Sequence, residues 1–301
     1  MHKVMLISNL YAGSVSRRTQ DVIVKALQAD FKLEAVETAS RDHASNLATD
    51  AVDRGFDAVL AFGGDGTINE TAQGLVGTET ALGVLPGGST NVMARSLGVP
   101  ADPVEATAFV GARLRSDTRR RINVGVINDR VFLFSAGMGL DAEVVKRVER
   151  DAVIRREKTE WLFVSNALRA GLLGYRGMDP CIDLGVGDDH IKVMTAVCCN
   201  ARPFTYYKRF PLDVCPQATL DEGLDVFGLK KLSAWKVPRL AWALFVSRSH
   251  IRWRSSYYRH DITEVELSAD RDLPVQVDGD YLGEWREAGI RLRPEALDLV
   301  V

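Results

Sequence analysis

The sequence predicts an α/β protein with a mainly β second part: an N-terminal doubly wound parallel sheet, then a C-terminal β-sandwich-like domain. Three observations carry this. Strand-like and helix-like runs alternate through the first third of the chain. Ala58–Phe62 and Ala81–Leu85 are continuous apolar runs, as expected of strands covered on both faces. From about Arg121 onward, short alternating runs dominate and helical patterns become sparse.

Taken in order, Lys3–Ile7 reads as a strand that ends in the turn-rich SNLYAGS at 8–14. Arg17–Ala29 has helical spacing at Val22, Ala26 and Leu27, and Phe31–Glu37 alternates as a strand does. Asp42–Arg54 is a helix closed by Gly55, and Thr67–Leu75 suits another. After PGGS comes a helix through Met93 and Ala94, closed by Gly98 and Pro100. RINVGVINDRVFLFSAGMG, from 121, reads as a hairpin turning at Asn128-Asp129. Ile182–Leu184, Ile191–Cys199, Leu224–Leu229, Ile262–Leu267 and Val275–Val277 are further strands, with helices at Asp141–Glu149, Glu160–Leu173 and Ala234–Ser247. The domains are therefore drawn as 1–120 and 121–290, with 291–301 a strand able to return to the first.

Composition excludes several classes. With 46% hydrophobic and 26% charged residues the chain is an ordinary globular one, and a net charge of −2 names no nucleic-acid partner. The apolar stretches, such as Leu240–Val246, are far too short to span a bilayer. Cys181, Cys198, Cys199 and Cys215 form no CxxC pair, which suits buried thiols in a reducing cytoplasm.

Charge is unevenly distributed. Val226–His260 contains eight basic residues and no acid, together with three of the five tryptophans: Trp235, Trp242 and Trp253. Two readings of 230–254 stand side by side. Its aromatics pack in the core, or the segment lies on an anionic membrane surface.

The chemistry concentrates in two glycine loops. AFGGDGTINE (61–70) runs from a strand through Gly63-Gly64-Asp65-Gly66 into a helix, and Pro86-Gly87-Gly88-Ser89-Thr90-Asn91 repeats the device one strand later. Loops at the carboxyl ends of parallel strands are ligand sites, and helix N-termini suit phosphate. The structural alternative is two glycine turns with Asp65 as a helix cap; two such loops on successive strands favour a nucleotide-phosphate site. GxxxxGK[ST] and GxGxxG are both absent and no lysine follows either loop. The compensating cation is therefore expected to be Mg²⁺, with Asp65 placed to help bind it.

GGDGTINE (63–70) and PGGSTNVMARSLGVP (86–100) resemble the catalytic domain of the diacylglycerol kinase and sphingosine kinase family. The likeness continues through SNLYAG, where Leu10 stands for the family's proline, ETASRDHASNLA (37–48), AGMGLDAEVV (136–145), TLDEGLDV (219–226) and VDGDYLG (277–283). GGDG alone is shared with NAD kinases and phosphofructokinases; the ordered set is far more specific. This resemblance implies an ATP-binding α/β domain, a lipid-substrate domain, and an active site in the cleft between them. It implies ATP contacts at Asn9, Leu10, Tyr11, Ala12, Gly13, Thr38, Gly63, Gly64, Asp65, Gly66, Thr67, Ile68, Asn69 and Ser89. A structural Mg²⁺ would use the Glu222 carboxylate, in place of the family's Asp, and the main-chain carbonyls of Thr219 and Leu224. The late DGE motif reads Asp278-Gly279-Asp280, so either Asp280 or Asp278 is the proton acceptor, with Asp65 the third catalytic acid.

The expectation is an ATP- and Mg²⁺-dependent cytoplasmic lipid kinase, peripherally associated with the membrane, acting on a lipid alcohol. Diacylglycerol is the first choice of acceptor, ahead of a sphingoid base, ceramide or NAD. A non-catalytic lipid or nucleotide sensor is the alternative of another class, and a homodimer is compatible with the sequence.

Overall fold

The computed structural model describes residues 2–10, 15–155, 179–233 and 236–301. The helical pattern at 160–173, and Tyr11, Ala12, Gly13 and Trp235, lie outside the described residues. The chain divides into two compact units, Met1–Asn123 with Pro294–Val301, and Val124–Arg293.

The first unit begins with strand β1 (Lys3–Ser8), helix α1 (Arg17–Gln28), β2 (Lys32–Glu37), α2 (His43–Asp53), β3 (Ala58–Gly63) and α3 (Asp65–Leu75). It continues with β4 (Ala81–Pro86), α4 (Val92–Ser96) and α5 (Pro103–Arg115). The strands pair in parallel in the order β4-β3-β1-β2, and Leu299 adds the end of the last strand alongside Leu82. β3 and β4 are buried at every position, as their unbroken apolar runs predict for a sheet flanked by helices.

In α1 the buried residues are Gln20, Ile23 and Leu27, whereas Val22 is exposed. Ile23 and Leu27, four apart, define the packed stripe in place of Val22 and Ala26. Helix α5 is an element the patterns did not disclose. Its signals are local: Asp102 Oδ1 accepts the N–H groups of Val104 and Glu105, Pro103 opens the helix, and Ala106, Val110 and Leu114 face inward.

The second unit is antiparallel. β5 (Arg119–Ile127), which starts in the first unit, and β6 (Arg130–Phe132) form the expected hairpin. After β7 (Ser135–Gly139) and α6 (Leu140–Arg155) come β8 (Ile182–Val186), β9 (Asp189–Val193), β10 (Thr195–Cys199), β11 (Thr205–Tyr207) and β12 (Phe210–Leu212). Then follow β13 (Leu224–Leu229), α7 (Val237–Trp242), β14 (Ser256–Ile262), β15 (Glu264–Val277) and β16 (Asp280–Val300).

The main order is β14-β13-β10-β7-β15-β16. The run Ile191–Cys199 is two strands, because the chain changes partners at Met194: β9 pairs with β8, and β10 lies between β7 and β13. Ile262–Leu267 and Val275–Val277 are likewise redistributed, the former across the β14–β15 junction and the latter into the long β15. Alternation in β10 and β13 serves two cores. Cys198 and Val226 face one that contains Phe132, Met138 and Val275; Val197, Cys199 and Phe227 face the other, with Met194 and Leu229.

Asp102→Ala, which removes the α5 cap, is expected to lower stability by about 1 kcal/mol. In urea unfolding the midpoint falls while the slope is unchanged.

Candidate active site

In the first unit the two glycine loops stand side by side, because β3 and β4 pair up to Gly63 and Pro86. The Gly87 N–H donates to the Gly63 carbonyl at 2.8 Å. A methyl group on Gly88 would lie 2.8 Å from the Gly64 Cα, and one on Gly87 would lie 3.0 Å from the Gly63 Cα. These glycines are thus required for one loop to pack against the other, whether or not a phosphate lies beside them. Asn91 closes the second loop: its Oδ1 accepts the Gly88 N–H and its Nδ2 donates to the Gly88 carbonyl, both at 2.8 Å.

Asp65 lies in the first turn of α3, whose N-cap is Gly64. Its carboxylate caps a different helix, accepting the N–H of Val92 (3.0 Å) and of Met93 (3.1 Å) at the start of α4. Both carboxylate oxygens therefore already hold backbone donors, an arrangement unlike an open ligand for Mg²⁺.

The end of β1 is fixed to the same assembly. Asn9 Nδ2 donates to Thr67 Oγ1 at 3.0 Å, and the Asn9 N–H bonds the Phe62 carbonyl. Ile68 is buried and its N–H is bonded to the Gly64 carbonyl, while Asn69 is buried and holds Gln73. Gly66 lies within the first turn of α3, and Ser89 is exposed on the second loop.

Beside these loops is a cavity of about 530 Å³ lined by Leu10, Val15, Arg17, Glu37, Thr38 and Ala39. It contains two expected nucleotide contacts, Leu10 and Thr38, and one residue that sequence reasoning missed. Arg17 brings a guanidinium to the cavity, loosely held by Glu37 at 3.4 Å. No lysine follows the glycine loops; the arginine comes from α1.

In the second unit Asp278 and Gly279 are the two central residues of the β15–β16 hairpin, with φ of 49° and 86° and with Val277 paired to Asp280. Positive φ at both positions is a type I′ turn. The Asp278 carboxylate accepts three backbone N–H groups, from Leu133 (2.8 Å), Phe134 (2.8 Å) and Ser135 (3.0 Å), and so fastens the turn to the chain between β6 and β7. Asp280 is half-buried, and its carboxylate makes no hydrogen bond or ion pair among the described residues.

A buried relay supports the turn. Gln276 Oε1 accepts the Gly279 N–H at 2.9 Å, and Gln276 Nε2 donates to Asp141 Oδ2 at 3.1 Å. Asp141 Oδ1 accepts the Thr195 hydroxyl at 3.0 Å. A methyl on Gly137 would lie 1.8 Å from Asp141 Oδ2, which explains the glycine in AGMGLD. Burial pushes the Asp141 carboxyl up to about 6, against the opposing effect of Gln276 and Thr195. Its partner Gln276 is 135 positions away, so no local pattern discloses the contact.

The residues expected to hold a structural Mg²⁺ lie on the approach to β13. Thr219 Oγ1 donates to Glu222 Oε2 at 3.2 Å, and Leu224 opens β13 with its side chain in the core. His260 stands 3.8 Å from Glu222 and 2.6 Å from the buried Asp225 carboxylate, which holds the imidazole toward its protonated form. An imidazole drawn toward its protonated form beside the one expected carboxylate works against a dication there. Among the described residues, no group of three or more His, Cys, Asp or Glu is arranged to hold a metal. The four thiols are unpaired with one another and buried, and burial pushes Cys198 and Cys215 well up, which leaves them unsuited to nucleophilic work.

Comparison with known proteins gives this geometry its context. A model of the diacylglycerol kinase catalytic domain matches residues 3–127. A Pseudomonas aeruginosa protein named probable lipid kinase YegS-like is 34% identical over 265 residues, covering 84% of this chain and 80% of that one. A Bacillus subtilis diacylglycerol kinase is 33% identical over 143 residues, 46% of each chain, so the match spans less than half of that relative. Among solved structures, a diacylglycerol kinase from Bacillus anthracis superposes with a TM-score of 0.72 at 20% identity, covering 99% of this chain and 96% of the other. At that identity the likeness shows the fold.

The raised Asp141 carboxyl gives a stability test. The folded state takes up its proton more readily than the unfolded one, so this group's contribution is full below the ordinary value of 3.8 and is lost as pH rises through about 6. Asp141→Asn is expected to flatten that fall when thermal unfolding is followed across the same window.

Proposed function

The chain belongs to the diacylglycerol kinase catalytic-domain family, and we propose that it is an ATP-dependent lipid kinase that converts diacylglycerol to phosphatidate. The observation that carries this reading is the pair of interlocked glycine loops at the ends of β3 and β4, next to the cavity that holds Arg17 and Thr38. Backbone N–H groups and helix N-termini there suit the nucleotide's phosphates, and Arg17 supplies fixed positive charge. Mg²⁺ enters as the substrate complex with ATP, where it neutralises the phosphate oxygens.

In the transfer, the acceptor hydroxyl oxygen bonds to the γ-phosphorus, the bond from that phosphorus to the β-phosphate oxygen breaks, and ADP leaves. The hydroxyl proton goes to a carboxylate. Asp280 is the better candidate, since Asp278 already binds three N–H groups while Asp280 has no described protein partner. Asp141 acts through Gln276 to hold the turn and is a positioning residue. Among the described residues no helix is long and apolar enough to cross a membrane.

The test is labelled phosphate transfer from MgATP to diacylglycerol, sphingosine, ceramide and NAD. Diacylglycerol is expected to be the preferred acceptor. Asp280→Asn is expected to lower kcat by at least about 100-fold with an unchanged melting temperature, and Asp278→Asn to lower the melting temperature as well. ATP binding without transfer to any acceptor would replace this reading by that of a sensor.

A further inference from the structure

The basic, tryptophan-containing stretch that sequence left between two readings is divided by the fold. Val237, Leu240 and Leu244 turn inward onto the core that contains Phe227 and Leu229. Trp242 and Val246, four residues apart and so on one helical face, turn outward with 63% and 56% of their surfaces exposed. A second segment, distant in sequence, joins them. The β11–β12 hairpin packs on this helical stretch through Tyr207 and Phe245, whose rings meet edge to face at 6.5 Å, and it presents Phe210 at 53% exposure. These are three of the five large hydrophobic side chains exposed among the described residues.

The support beneath them is cross-linked by hydrogen bonds and an ion pair. The Asp213 N–H just after the hairpin donates to the Leu244 carbonyl at 3.0 Å, within the π-helical turn Ala243–Ser247. The Asp213 carboxylate is buried and takes the Arg248 guanidinium at 2.9 Å. The hairpin and the helical stretch therefore form one platform. The exposed charges beside the apolar side chains are basic. Lys208 and Arg209 are exposed at the hairpin tip, Arg239 is exposed one turn before Trp242, and 205–212 contains no acid.

We propose that Phe210, Trp242 and Val246 insert into the headgroup layer of an anionic bilayer while Lys208, Arg209 and Arg239 engage its lipid phosphates. The chemistry selects this partner. Tryptophan with basic neighbours suits the bilayer interface, whereas Val246 and Phe210 offer nothing to a nucleic-acid backbone. The choice of a bilayer rests on the lipid-kinase reading; the surface itself rests on exposure and charge.

The experiment is sedimentation of the full chain with vesicles of phosphatidylcholine mixed with phosphatidylglycerol, against phosphatidylcholine alone. The native protein is expected to bind the anionic vesicles, and to bind them less as salt screens the charges. F210A/W242A/V246A and, separately, K208E/R209E are each expected to weaken binding by at least about tenfold with unchanged melting temperature. Native-like vesicle binding by both variants overturns the proposal. So does a change in oligomeric state in either variant with vesicle binding intact, which would make the patch a self-association surface. So does binding of duplex DNA or RNA that K208E/R209E abolishes while leaving vesicle binding intact. Transfer to a short-chain, water-soluble diacylglycerol is read in parallel. Transfer without vesicle binding overturns the docking surface alone, and vesicle binding without transfer overturns the kinase reading alone.

Discussion

The bond from the Asp65 carboxylate to the Val92 and Met93 N–H groups is the constraint on which the first unit's candidate site depends. α4 has only five residues, too few to hold itself, and its N-cap Asn91 lends no side-chain bond to it. Asp65 supplies that cap from another helix, and so the loop after β3 fixes the loop after β4. Deleting it would strand two backbone donors, each at roughly 1–3 kcal/mol if buried. The same carboxylate lies near the positive ends of two helices, α3 and α4, where a negative charge is favoured. The touching glycines follow from this arrangement: with the loops locked together, a side chain on Gly87 or Gly88 would press on the backbone of the first loop.

In the second unit a carboxylate again organises backbone. Asp278 gathers three consecutive N–H groups, and Asp280 follows directly after the turn it anchors. The relay from Thr195 through Asp141 and Gln276 to Gly279 braces that turn from the other side. Two acids two residues apart are thereby placed differently, one holding three backbone N–H groups and the other half-buried with no hydrogen bond or ion pair among the described residues. Sequence alone could not separate them, because the distinction lies in which donors surround each.

Much of the fold was legible because its signals are local. The buried runs of β3 and β4, the Asn128-Asp129 turn and the glycine loops each declare themselves within ten residues. What stayed hidden depends on partners remote in the chain. Arg17 joins Thr38 in a cavity only after two strands pair, and Asp141 finds Gln276 across the sheet. Helix α5 is an exception: Asp102-Pro103 announces it, but its apolar stripe is built from Ala106, Val110 and Leu114, with glycine and arginine between. The stretch from 230 to 254 was ambiguous because its residues divide, Leu240 and Leu244 facing the core and Trp242 and Val246 facing out.

Strand β16 has a consequence for how the protein is made. It starts at the Asp278-Gly279 turn and ends beside β4, so Pro294–Val301 belongs to the first unit although the whole second unit is synthesised before it. During translation the four strands β1 to β4 emerge early, with the β4 edge of their sheet lacking the neighbour that Leu299 later provides. An unfilled sheet edge is a template for pairing with other chains. Until the last strand arrives, that edge stays open to such pairing.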